Sequence, residues 1–185
     1  MNKVPIDACT NTFAEMAVTI LPGDMARLRA ALAAPVPMSS FCKQGFGVRS
    51  ILAGLRRSSD FSGCYVLLLE QKPFYVGISR TVVQRLRQHV TGNTHFDASL
   101  AYLMATDKTG HKMKRSDAMR DATFRTAFDE AKALLRDCSV AFIDIDNPLE
   151  LYLFEAYCAM ELDTSNGTPF ELIDRRWGPR DRVDG

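Results

Sequence analysis

The run SGCYVLLLE at residues 62–70 constrains the fold of this chain more than any other segment. It is apolar, branched and aromatic, and it is bounded by Ser62-Gly63 on one side and by Gln71-Lys72-Pro73 on the other, which is a strand signal. Residues 74–77 predict a second short strand, and the tight connection between the two makes them an antiparallel hairpin. SVAFIDI at 139–145 predicts a third strand. Helices fill the intervals: one capped by Ser79 and running over 79–90 to a stop at Thr91-Gly92-Asn93, a short one at 97–105, a long one at 116–136, and one over 148–162 that starts at Asn147-Pro148. The fold class is therefore α+β, a small three-stranded antiparallel sheet (hairpin 62–77 plus strand 139–145) flanked by helices.

Residues 1–60 read as a partly helical amino-terminal extension, with an alanine-rich helix at 24–34 entered from Pro22-Gly23 and stopped by Pro35 and Pro37. The main domain then covers 61–174, with a helical insert at 92–138, and 175–185 form a tail. At 185 residues, 46% apolar and 24% charged, the composition is that of one soluble globular domain and excludes disorder, collagen-like repeats and a coiled-coil rod. Five scattered cysteines without a CxxC pair predict free thiols in a reducing compartment. Asp7 and Glu15 interrupt any leader-like apolar run, and no uncharged stretch approaches the ~18–20 residues of a membrane span. The expectation is a cytoplasmic protein with no membrane partner.

Lysine and arginine number 23 against 22 acidic residues. Taken alone, that balance argues against a nucleic-acid partner. It conceals a gradient, because residues 43–96 carry eight basic and two acidic side chains whereas 117–174 carry four basic and thirteen acidic ones. Charge alone fits either a phosphate-binding face or solvated helix faces of different sign.

On a helical wheel for 79–90, Val82, Val83, Leu86 and Val90 form the core stripe. Arg85 and His89 stack along its edge, which places them at a rim, while Arg87 and Gln84 lie outward. In 148–162 the wheel puts Leu149, Leu153, Ala156, Tyr157 and Met160 on the core stripe. Glu155 falls on another side among Leu151, Tyr152, Cys158 and Ala159. A carboxylate in such surroundings must be neutral, paired with a cation or bound to a metal. Helix position by itself admits a structural ion pair with an arginine as well as a metal ligand.

Gly63-Cys64-Tyr65, Tyr75-Val76-Gly77, Arg85 eight residues after Gly77, His89 one turn later and a helical Glu155 together resemble the GIY-YIG nuclease family, found in excision-repair nucleases, homing endonucleases and some restriction enzymes. The resemblance spans roughly residues 62–170, and FYVGISRTVVQRLRQHV is its most specific part. It implies a catalytic set of Tyr65, Tyr75, Arg85, His89 and Glu155. Tyr65 would assist deprotonation of the attacking water, Arg85 would hold the scissile phosphate, and Glu155 would bind one divalent ion, magnesium or manganese. Asn166 resembles an asparagine that often follows the last helix. Cys64 and Ile78 depart from the pattern, as do the long insert and the amino-terminal extension.

The residue types suit phosphodiester hydrolysis independently of the resemblance. A guanidinium matches phosphate oxygens and does not deprotonate, one carboxylate suits a largely hydrated magnesium ion, and a tyrosine needs its pKa of about 10 lowered before it can act as a base. Residue type alone equally admits Tyr65 and Tyr75 as packing aromatics of the hairpin. The expected function is a metal-dependent endonuclease acting on DNA, with Arg49, Arg56, Arg57, Lys72, Arg80 and Arg87 meeting the backbone. A catalytically weak nucleic-acid-binding module on the same scaffold is the alternative. The acidic helices 116–136 and 148–162 offer a surface for a homodimer.

Overall fold

The computed structural model describes residues 6–164. Asn166 and the tail at 175–185 lie outside them. The sheet has four strands in the order β1 (Val36–Pro37), β4 (Ser139–Asp144), β2 (Gly63–Leu69), β3 (Lys72–Ser79), antiparallel throughout. The strand beyond the expected three is β1. It is only two residues long and ends in a proline tolerated at a sheet edge, so it carries no alternation for a sequence pattern to detect.

All seven residues of β2 are buried because helices cover both faces of the sheet. Successive side chains alternate between the faces. Tyr65, Leu67 and Leu69 join one core with Val82, Leu86, Phe124 and Phe128, while Cys64, Val66 and Leu68 join another with Leu28, Leu151 and Phe154. The hairpin turns at Glu70-Gln71, both with positive φ (51° and 66°), as a two-residue turn requires, rather than at 71–73. Lys72 and Pro73 consequently belong to the ladder. The register shifts between Leu67, opposite Tyr75, and Leu68, opposite Pro73, which leaves Phe74 as a bulge. The extra residue lets both Phe74 and Tyr75 face the first core.

The helices are α1 (Phe13–Glu15), α2 (Leu21–Leu32), α3 (Val48–Gly54), α4 (Val82–Thr91), α5 (Ser99–Thr109), α6 (Arg115–Ala118), α7 (Ala122–Asp137) and α8 (Pro148–Glu161). The expected 24–34 helix starts earlier. A π-helical turn, Met16–Ile20, joins α1 to α2 and relieves the clash that Pro22 would cause in a regular helix. The expected 116–136 helix is two helices, because the Asp121 carboxylate caps a fresh start by accepting the Phe124 N–H at 2.8 Å.

Helix α8 buries Leu151, Phe154 and Cys158; of the stripe drawn from the wheel, Leu149, Leu153 and Tyr157 pack half-buried against that core, whereas Met160 is 81% exposed and Ala156 is also exposed. Apolar residues surround this helix, so periodicity alone does not select its inner face. Residues 38–55 also reach the interior, with Met38, Phe41, Ile51 and Leu52 packed in the same core as Tyr65. All five cysteines lie among the described residues, and no disulfide joins them. Among the described residues no helix is long and apolar enough to cross a membrane.

Candidate active site

Helix α4 carries Arg85 and His89 and is fixed at both ends. Val82, Val83, Leu86 and Val90 are fully buried, as the wheel anticipates. The N-terminal cap is not Ser79, whose hydroxyl accepts the Thr81 N–H at 3.0 Å instead. Asp60, some twenty residues upstream, accepts the N–H groups of Val83 and Gln84, each at 2.9 Å, and places negative charge at the positive end of the helix. At the other end Arg136 donates twice to the Val90 carbonyl, at 3.1 and 2.9 Å. Neither Asp60 nor Arg136 has a local sequence signature, because each acts across a long separation in the chain.

Tyr65, Tyr75, His89 and Arg85 converge on one side of the sheet. The tyrosine rings lie 6.2 Å apart, and the His89 ring stands edge-on to both, at 5.8 and 6.2 Å. Gly77, directly across the ladder from Tyr65, makes this possible. A Cβ at Gly77 would lie 2.6 Å from the Tyr65 hydroxyl oxygen and 2.9 Å from the Tyr75 ring. His89 is not at a rim: it is fully buried, with Nε2 hydrogen-bonded to the Tyr65 hydroxyl at 2.8 Å and Nδ1 buried without a partner. Burial, with help from the Arg85 charge, lowers its pKa to about 3, so the imidazole is neutral near pH 7. Burial raises Tyr65 well above the usual phenol value, and this residue is only 1% exposed.

Arg85 is pinned by the insert. It donates to the Asp97 carbonyl at 2.9 Å and to the Ser99 hydroxyl at 2.6 Å, and among the described residues no carboxylate pairs with it. Ser99 and the Asp97 backbone were not foreseen, since an insert length says nothing about where its carbonyls point. The Arg85 charge acts on both tyrosines. In Tyr75, burial pushes the pKa up, while Arg85 and the neighbouring Tyr65 hydroxyl hold it down and Glu155 adds to the rise.

Glu155 arrives from the other face of the sheet. It shares a cleft of about 330 Å³ with Tyr75, Val76, Tyr152, Ala156, Ala159 and Thr164, beside edge strand β3. Its pKa is raised by partial burial, and among the described residues it has no ion-pair partner. The structural ion pair admitted by the sequence is thus absent among the described residues. Nor do these residues contain a cluster of three or more His, Cys, Asp or Glu able to cage a metal. One unpaired carboxylate in an open cleft fits an ion that keeps most of its water, which is magnesium's preference.

The expected backbone contacts are scattered. Arg49, Arg56, Lys72 and Arg80 are exposed. Arg57 is engaged within the protein, 3.2 Å from Asp144 and stacked 3.9 Å over the Phe61 ring. Arg87 is partly buried, not outward, and lines a separate cleft with Lys43 and Gly45, its Nε buried without a partner.

The layered α+β fold brings two tyrosines, an arginine and a histidine into one cluster beside the hairpin. Residues 61–134 match the family model of the GIY-YIG catalytic domain, a type usually found in nucleases. The match takes in Tyr65, Tyr75, Gly77, Arg85 and His89 and stops before Glu155. No curated protein and no solved structure matches the chain.

Proposed function

We propose that the protein is a metal-dependent endonuclease that hydrolyses phosphodiester bonds in DNA. The observation that carries this reading is the joining of two half-sites at one sheet edge. Tyr75 lines the same cleft as the unpaired Glu155 and lies within the field of Arg85.

Tyr75, rather than the enclosed Tyr65, then presents its hydroxyl to the attacking water. Tyr65 and neutral His89 act as positioning residues, the His89–Tyr65 hydrogen bond fixing the phenol behind Tyr75. Arg85, held by Asp97 and Ser99, keeps a fixed fork of donors for the phosphate and stabilises the charge that builds on it in the transition state. Magnesium or manganese bound by Glu155 would supply positive charge to the leaving oxygen. Arg49, Arg56, Lys72, Arg80 and Arg87 remain for the DNA backbone, and Arg57 serves chiefly to anchor Asp144. Five cysteines without a disulfide fit a reducing cytoplasm.

Incubation of supercoiled plasmid with magnesium or manganese tests the reading. Relaxation or linearisation that disappears in Arg85→Ala and Glu155→Ala is the expected result. Cleavage equal to wild type in both variants sinks it.

A further inference from the structure

Tyr152 stands on α8 one turn before Glu155, is 55% exposed, and among the described residues stacks on no other ring. It lines two clefts. One is the Glu155 cleft; the other is about 370 Å³ and shares Tyr152 with it as a lining residue. The second cleft has an apolar wall of Ile78, Pro148 and Leu151, and Arg80 at its exposed margin. An aromatic face, an apolar wall and a cation beside a catalytic carboxylate are the elements of a nucleotide subsite: the wall and ring take the base, and the cation takes a phosphate.

We propose that the cleft beside Tyr152 binds an unstacked nucleobase next to the scissile phosphate, with the Tyr152 ring as its stacking platform. The proposal rests on the nuclease reading and narrows its substrate to DNA with single-stranded character. Inside a duplex both faces of each base are covered by its neighbours. Only a base in a single strand, or one turned out of the helix, can lie against the ring. The Ser62 and Ser79 hydroxyls and the Asp146 carboxylate border the same cleft and offer hydrogen bonds to the edge of the base. Continuity with the Glu155 cleft through a shared residue is what ties this subsite to the reacting phosphate.

The test uses the full chain in EDTA and a single-stranded oligonucleotide carrying 2-aminopurine. Wild type and Tyr152→Phe quench the label on binding, whereas Tyr152→Ala binds at least about fivefold more weakly and leaves it bright. The same label in a fully paired duplex is unchanged by any of the three. Quenching and affinity in Tyr152→Ala equal to wild type overturn the proposal, as does equal quenching in the duplex. Since no divalent ion is present, the readout is independent of cleavage. Tyr152-dependent quenching by a protein that cuts no DNA with magnesium or manganese overturns the nuclease reading alone. Cutting with no dependence on Tyr152 overturns the base subsite alone.

Discussion

The two halves of the candidate site are built to different standards of constraint. The half made of Tyr65, His89, Gly77 and Arg85 is closed: its rings touch, His89 is fully buried, and Arg85 is held at two points by the insert. The half made of Tyr75, Tyr152 and Glu155 is open, and its carboxylate has no partner among the described residues. The closed half fixes geometry in advance, which is what transition-state stabilisation needs. The open half leaves coordination and stacking positions to be filled from solution.

Substitutions that affect the two halves differently would sharpen that contrast, and the largest effects are expected in catalysis. Arg85→Ala should lower cleavage by about 10²–10³-fold, and Arg85→Lys should fail to restore it because an ammonium lacks the two-pronged fork. Glu155→Gln should lower cleavage comparably in a metal-dependent assay. Its thermal midpoint should be unchanged or higher, because a partly buried, unpaired carboxylate is removed. A midpoint drop in Glu155→Gln as large as that of Arg85→Ala would break the comparison.

Gly77→Ala comes next, with a loss of about 1–3 kcal/mol in urea unfolding, since the added methyl meets both phenol rings. A smaller effect concerns pH. Unfolded His89 takes up a proton near 6.5, while the buried ring stays neutral down to about 3. Its contribution to stability is complete above 6.5 and is lost as pH falls toward 3, and His89→Gln should flatten that part of the stability curve.

The smallest expected effect has the opposite sign and lies on the other face of the sheet. Burial and the nearby Asp24 carboxylate, whose Oδ2 is buried without a partner, raise Glu150 to about 7. The folded state therefore keeps a proton that the unfolded chain releases near 4.5. Stability from this group is complete below 4.5 and is lost as pH rises to about 7. Denaturation midpoints of Glu150→Gln between pH 5 and 8 should fall less steeply with pH than those of wild type.

The closed half was the more legible in sequence. Tyr65, Gly77, Arg85 and His89 lie within one hairpin and one helix, as does Tyr75 of the open half, so their order and spacing carry the family resemblance, and the amphipathic stripe of α4 marks the inner face of that helix. Spacing did not distinguish the edge of that stripe from its interior, and His89 is enclosed because α4 is covered by α3, α5, α7 and residues 38–41 as well as by the sheet. The groups that hold the site, Asp60, Arg136, Asp97 and Ser99, act across folds of the chain and leave no periodicity. The α8 stripe was legible only in part: Leu149, Leu153 and Tyr157 touch the core, but the buried line runs through Leu151, Phe154 and Cys158, because a helix apolar on nearly every side has no single preferred rotation until its neighbours are in place. Glu155 stands out on that wheel as an acid among apolar residues, a signal that does not depend on which line of the helix is buried.

Asp60 has a consequence for how this domain can be moved between proteins. The family pattern begins at residue 61, yet the carboxylate that starts the arginine-bearing helix lies one residue before it, and Met38, Phe41, Ile51 and Leu52 fill the interior from further upstream. A gene fusion cut at the pattern's edge would transfer the motif without the groups that hold it in place. The transferable module is larger than the signature that marks it, and recombination that keeps the arginine-bearing helix in place must carry the upstream segment along.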